Sequence, residues 1–199
     1  MNLPNKITTI RIFLSVFLIV FLLFPFYQVG MKLPVYSING NIELSFQYII
    51  GGLIFAVASA TDFLDGYLAR KNGLVTDFGK VMDAIADKIL VNGILIILAY
   101  NRDISIIVPV IIITRDTIVD SIKMIASKKS GAAVPASIAG KIKTIFMMVG
   151  VTFVFFNNLP FMLINFEIGK FMVLIATVLS VYSGLEYFIH HKDSFMKDK

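Results

Sequence analysis

Residues 12–31, 44–61 and 144–166 contain no Asp, Glu, Lys or Arg. Each stretch reaches or passes the roughly 18 apolar residues that mark a membrane helix. In water such runs would have to be hidden from solvent along their whole length; in a bilayer they are already in their solvent. The composition agrees, with 57% apolar and only 16% charged residues among 199, the profile of an integral membrane protein. Three more apolar segments, at about 76–100, 104–126 and 169–189, carry charges toward their ends. The expected fold is all-α, a single membrane domain over residues 1–199 with six transmembrane helices. The run at 12–31 is too long for the core of a cleavable signal and no small-residue cleavage site follows it, so it is expected to stay as a span. The chain has no cysteine, which removes disulfides and thiolate metal sites.

With six spans both ends of the chain share one side. Lys32, Arg102 and Lys170 fall by the loops after helices one, three and five. On the other side stand Lys6 and Arg11, Arg70 and Lys71, Lys128 and Lys129, and Lys192, Lys197 and Lys199. The positive-inside rule then puts both termini in the cytoplasm. The net charge of +5 is an orientation signal with some attraction to anionic lipid heads, not a nucleic-acid footprint.

Against this background the stretch TDFLDGYLARKNGLVTDFGKVMDAIADK, residues 61–88, is anomalous. Asp62 and Asp65 are spaced i, i+3, and Asp83 and Asp87 i, i+4, so each pair projects from one face of its helix. An Asn-Gly turn between them lets the two pairs face one another at the cytoplasmic end. Four carboxylates sharing a small volume repel unless cations neutralise them. Oxygen-only ligands suit Mg²⁺ or Mn²⁺, and two such ions about 4 Å apart form a clamp for displacement at phosphorus. Gly66, Ala69 and Gly79 leave room for a ligand or a neighbouring helix, and Arg70 at the cavity mouth can pair with a phosphate.

Further along, Arg115, Lys141 and Lys143 form a candidate basic pocket for an acceptor that carries its own phosphate. Arg115 has a second reading as the internal ion-pair partner of Asp116 or Asp120, and Lys143 can snorkel to lipid heads. Gly51 and Gly52 read as a helix-packing face, and His190 and His191 as part of a solvated tail. A cation transporter also buries acids at membrane depth. Here, however, the charges stop in the inner half and leave no polar path outward.

Asp62-x2-Asp65-Gly66-x2-Ala69-Arg70-x8-Gly79-x3-Asp83-x3-Asp87 resembles the complete signature of the CDP-alcohol phosphotransferase family, with every fixed position kept. The resemblance implies transfer of a phosphate-bearing group from a CDP-linked lipid to an alcohol, with CMP leaving. It implies that Asp62, Asp65, Asp83 and Asp87 bind two divalent cations, Mg²⁺ or Mn²⁺, that Asp87 also takes the proton, and that Gly66, Arg70 and Thr76 hold the nucleotide. The opening MNLPNKITTIRI is similar to the start of the bacterial phosphatidylglycerophosphate synthases of that family, through Pro4, Asn5, Thr8 and Arg11. In those a short interfacial segment precedes helix one. By this likeness Asn5 and Thr8 join the CDP-lipid-binding residues, the lipid is CDP-diacylglycerol, the acceptor is glycerol 3-phosphate, the site is the bacterial cytoplasmic membrane, and the chain forms a homodimer. Inositol phosphate and serine are the alternative acceptors.

Overall fold

The computed structural model describes residues 3–38, 40, 42–71, 77–130, 134 and 137–196; the side chains of residues 3, 4, 63–71, 77, 78, 80, 129, 130, 191 and 193–196 lie outside this description. Six α-helices account for most of the chain: α1 Leu3–Leu23, α2 Phe46–Lys71, α3 Asp77–Tyr100, α4 Ile107–Ser130, α5 Ile138–Phe155 and α6 Ile168–Met196. A short antiparallel hairpin, β1 Val35–Ile38 and β2 Ile42–Ser45, precedes α2, and a 3₁₀ turn, Phe161–Ile164, precedes α6. α1 packs on α2 and α3, α6 packs on α4 and α5, and the α2–α5 and α3–α4 contacts join the two groups.

The outer surface is apolar, unlike that of a protein in water. Phe13, Phe17 and Val20 of α1, and Leu174, Val178 and Leu185 of α6, lie exposed on the outer surface. Thr8, Arg11 and Ser15, spaced i, i+3 and i+7 on α1, are buried, as are Thr177, Ser180 and Ser183 on α6. Apolar faces outward and polar stripes inward describe a chain whose solvent is lipid. Among the described residues three helical segments, Asn5–Leu23, Ile138–Phe155 and Ile168–His190, are long and apolar enough to cross a membrane. The apolar part of α2 is shorter, Phe46–Asp62.

Where helices touch, the core is apolar and close. Leu18, Phe55, Leu90, Ile94, Leu98, Ile112, Val151 and Phe155 form one continuous cluster drawn from five helices. Gly51 and Gly52 make the expected packing face: a Cβ on Gly51 would stand 2.9 Å from Leu22 Cδ2, and one on Gly52 2.8 Å from Phe155 Cβ.

Three helix boundaries differ from the sequence expectation. α1 runs unbroken from Leu3, so among the described residues the opening segment is continuous with helix one, and it ends at Leu23 rather than near residue 31. Pro25 and a turn with Gly30 at φ +81° stop it. The run 144–166 is not one span: α5 ends at Phe155, and Asn157 and Asn158 follow at φ +47° and +57°, conformations that a helix cannot continue through. Apolar composition sets the depth of a segment and does not encode its turns.

The hairpin closes the end of the bundle away from the four aspartates. Its strands pair from Val35↔Ser45 to Ile38↔Ile42, with Gly40 at φ +75° in the turn between them. Asn157 Nδ2 donates to the Glu43 carbonyl at 3.0 Å, and the Tyr48 hydroxyl donates to Asp103 while accepting from Asn101 Nδ2 at 2.7 Å. Burial pushes the Asp103 carboxyl above the usual carboxylate range, a shift that the Tyr48 hydrogen bond opposes.

Candidate active site

The antiparallel arrangement collects the charged helix ends at one end of the bundle: the start of α1, the end of α2, the start of α3, the second half of α4 and the start of α5. Asp62 of α2 and Asp83 of α3 converge there on a single positive group, the guanidinium of Arg11 from α1, which each contacts through Oδ1. Arg11 is 1% exposed, whereas the Asp62 and Asp83 side chains are 27% and 48% exposed. The cation is therefore buried behind the acids, and the acids face an accessible space.

Asp87, one turn beyond Asp83, is partly buried and lies in the fields of Lys143, Asp116, Arg11 and Asp83. It thus interacts both with the aspartate cluster and with a second cluster centred on Asp116. There Arg115 Nη1 meets Asp116 Oδ1 at 2.7 Å, and Lys143 Nζ meets Asp116 Oδ1 and Oδ2 at 2.9 and 3.0 Å. The Arg115 guanidinium is further held by Nε donating to the Ser180 carbonyl at 2.9 Å and by the Ser183 hydroxyl. It passes over Gly184, where a Cβ would lie 3.0 Å from Arg115 Cγ. Two cations share one carboxylate, which leaves a formal surplus of one positive charge.

Of the residues expected at the site, the structure brings Asp62, Asp83 and Asp87 to one end of the bundle and places Arg115 and Lys143 beside one another. Arg115 makes the ion pair with Asp116; Asp120 pairs with Lys88 instead. Lys141 is exposed and does not join the Asp116 cluster, and Lys143, 9% exposed as a residue, reaches inward rather than toward lipid heads. Thr8 is buried on the inner face of α1, and Asn5 stands one turn before Thr9, whose hydroxyl donates to the Asn5 carbonyl at 2.8 Å. Thr76 and the side-chain surroundings of Asp65, Gly66 and Arg70 lie outside the described residues.

Arg11 was legible only as part of the opening motif and as an orientation charge. The signal that finds it is the i, i+3, i+7 polar stripe Thr8, Arg11, Ser15 on an otherwise apolar helix.

The donor set fits a hard divalent cation. Carboxylate oxygens from two helices already grip one positive charge, and no nitrogen or sulfur ligand competes with them. Among the described residues no three acidic or histidine side chains form a ready-made metal cage; Asp65 is not among them.

Beside this cluster a groove of about 430 Å³ runs between α2 and α5. Asp62 lies at its polar end, and Ala56, Ala60, Ile145, Met148 and Phe153 are among its walls. Ser59 also lines it, with a buried hydroxyl that has no hydrogen-bond partner among the described residues.

The chain is 36% identical over 187 residues to the CDP-diacylglycerol–glycerol-3-phosphate 3-phosphatidyltransferase of Bacillus subtilis, covering 94% of this chain and 93% of that one. It is 31% identical to the enzyme of the same name from Rickettsia bellii, again over 94% and 93%. The crystal structure of Mycobacterium tuberculosis phosphatidylinositol phosphate synthase in apo form shares the fold, with a TM-score of 0.57 over 98% of this chain and 93% of that chain, at 17% identity. The family model for CDP-alcohol phosphatidyltransferases matches residues 1–182, and the chain belongs to that family.

Proposed function

We propose that this protein transfers the phosphatidyl group of CDP-diacylglycerol to sn-glycerol 3-phosphate, forming phosphatidylglycerol phosphate and releasing CMP. The observation that carries the reading is that Asp87 lies within electrostatic reach of both Arg11 and Asp83 on one hand and Lys143 and Asp116 on the other. One side offers carboxylates for cations that meet a diphosphate; the other offers positive charge to an acceptor phosphate. The names of the Bacillus and Rickettsia relatives support the same choice of donor and acceptor.

Asp62, Asp65, Asp83 and Asp87 would hold two divalent cations, Mg²⁺ or Mn²⁺. When bound, these supply neutralisation of the diphosphate and of the charge developing on the CMP leaving group. The chain's own groups do the rest. Arg115 and Lys143 bind and orient the glycerol 3-phosphate phosphate, with Lys141 at the mouth, so that the acceptor hydroxyl faces the lipid-side phosphorus. Asp87 accepts the hydroxyl proton as the oxygen–phosphorus bond forms and the bond to the CMP oxygen breaks. Gly66, Arg70, Thr76, Asn5 and Thr8 hold the CDP moiety. The groove between α2 and α5 takes an acyl chain, with Ser59 placed to donate to an ester oxygen where the chain meets the headgroup.

In the same reading all six helices span the bacterial cytoplasmic membrane, with both termini and the site on the cytoplasmic side, and the chain works as a homodimer. The lysine and arginine asymmetry supports that orientation.

The test is CMP release by purified protein in detergent, with CDP-diacylglycerol and Mg²⁺, offered glycerol 3-phosphate, inositol phosphate or serine in separate reactions. Release with glycerol 3-phosphate alone is expected. Release with a different acceptor overturns the acceptor assignment and keeps the chemistry; silence with all three from folded protein overturns the reading.

A further inference from the structure

Arg11 carries a role that orientation of the helix does not require. Its guanidinium is 1% exposed and contacts Oδ1 of Asp62 and Oδ1 of Asp83 together. A buried guanidinium is stable only when its charge is matched, and two carboxylates drawn together repel unless a cation stands between them. Each charge is thus the reason the other is tolerated.

A divalent ion arriving from the open side would meet the same two carboxylates, because their side chains are partly exposed while Arg11 is buried. A divalent ion and a guanidinium that share two carboxylates repel one another strongly in a medium of low dielectric. Both cannot hold these positions at full occupancy.

We propose that Arg11 is the built-in counter-ion of the cation-free site. It holds α2 and α3 in register through Asp62 and Asp83 and yields those carboxylates when divalent cations bind. This rests on the two-cation reading above. Arg11 is a positioning residue in this scheme: it keeps the ligands preassembled in the absence of metal and sets the cation concentration at which they are taken over. Its place in the Thr8, Arg11, Ser15 stripe explains why an apolar helix carries an arginine on its buried face.

The consequence is opposite in sign to that of a static support. If Arg11 merely braces the site, its removal loosens the ligands and weakens metal binding. If it competes, its removal makes the cation-free protein less stable and metal binding tighter. The experiment compares wild type with Arg11→Gln and Arg11→Lys in detergent, reading the melting temperature in EDTA and the Mn²⁺ affinity by titration calorimetry or electron paramagnetic resonance. For Arg11→Gln we expect a lower melting temperature in EDTA, a larger Mn²⁺-dependent rise, and Mn²⁺ affinity tighter by on the order of tenfold, the low end for a close charge pair. Arg11→Lys retains the charge without the fork and falls between the two. Unchanged or weaker Mn²⁺ binding by folded Arg11→Gln overturns the proposal.

A second measurement uses wild type alone and does not depend on a variant folding. Phenylglyoxal labelling of Arg11, followed by peptide mapping, should accelerate on adding Mn²⁺ without nucleotide; equal or slower labelling overturns the proposal. Wild type that binds no Mn²⁺ sinks the two-cation reading itself, whereas normal Mn²⁺ binding with no response at Arg11 sinks this inference alone.

Discussion

Lys143 of α5 grips Asp116 of α4 through both carboxylate oxygens, 2.9 Å from Oδ1 and 3.0 Å from Oδ2. Arg115 takes the same Oδ1 at 2.7 Å, so one carboxylate organises two cations from different helices. Loss of either lysine or aspartate therefore changes both the fold and the charge offered to an acceptor, and the two effects can be separated. Lys143→Met should cost about 1–3 kcal/mol, below the figure for fully buried pairs because the Asp116 side chain is 24% exposed. It should also raise the KM for glycerol 3-phosphate at least about tenfold through loss of one charge-assisted contact. Adding Asp116→Asn should lower the stability further, because it takes from the Arg115 guanidinium its remaining carboxylate, and leave the KM high. An unchanged KM in folded Lys143→Met protein would make Lys143 structural only. Lys141→Ala, exposed on the same helix, should affect KM with little change in melting temperature.

Asp87 lies in the fields of both clusters, which is the position a base needs if it is to reach a hydroxyl whose phosphate is held on one side while the electrophile is held on the other. Asp87→Asn keeps the shape and removes the basic oxygen. Turnover should fall by about 10²–10⁴-fold, the usual range for a positioned base, while binding of CDP-diacylglycerol changes only a few-fold. Loss of binding in equal measure would remove Asp87 from the base role and leave it as a ligand.

The six helices and the end of the bundle that collects the aspartates were legible because hydropathy and charge position are properties of single segments. Asp62, Asp83 and Asp87 could be found because their spacing along the chain already implies one face of each helix. What could not be read is what depends on neighbours or on turns. Arg115 was legible as a choice between an ion pair and an anion site; that Asp116 pairs with it, and Lys88 with Asp120, follows from the packing of α4 on its neighbours and not from any local pattern. The helix ends at Leu23 and Phe155 lie inside uncharged runs, where only Pro25 and the Asn157-Asn158 pair betray the break. The hairpin carried a readable sign, Asn39-Gly40 between VYSI and IELS, masked by the expectation that an apolar membrane chain is all helix.

The groove between α2 and α5 predicts a selective defect. Ala60 lines it two residues before Asp62, and a phenyl group there would fill space that an acyl chain needs next to the site. Ala60→Phe should raise the KM for long-chain CDP-diacylglycerol by roughly tenfold, since a few methylene contacts in an apolar pocket are worth about 1–3 kcal/mol. A short-chain, water-soluble CDP-diacylglycerol should be used nearly as well as by wild type. An equal defect with both donors would place the acyl chain elsewhere and make Ala60 part of the headgroup region.

Gly169 joins the fold to the acceptor cluster. A Cβ at this position would stand 2.7 Å from Asn158 Oδ1, 2.8 Å from the Gly150 carbonyl oxygen and 2.8 Å from Val154 N, and two of those three neighbours are backbone that cannot turn aside. The backbone N–H of Gly169 also donates to Asn158 Oδ1 at 2.7 Å, so the start of α6 is held tightly to the end of α5. Gly169→Ala must push α6 away from α5, and overpacking of this kind costs about 1–3 kcal/mol. α6 carries Ser180 and Ser183, which hold the Arg115 guanidinium. The displacement should therefore reach the basic cluster and raise the glycerol 3-phosphate KM with little change in the KM for CDP-diacylglycerol. Gly140→Ala is the control, because its new Cβ would meet only Ser137 Oγ, at 3.3 Å. Thermal melts in detergent with both KM values decide the matter: a destabilised Gly169→Ala protein whose acceptor KM is unchanged would show that α6 can shift without moving Arg115.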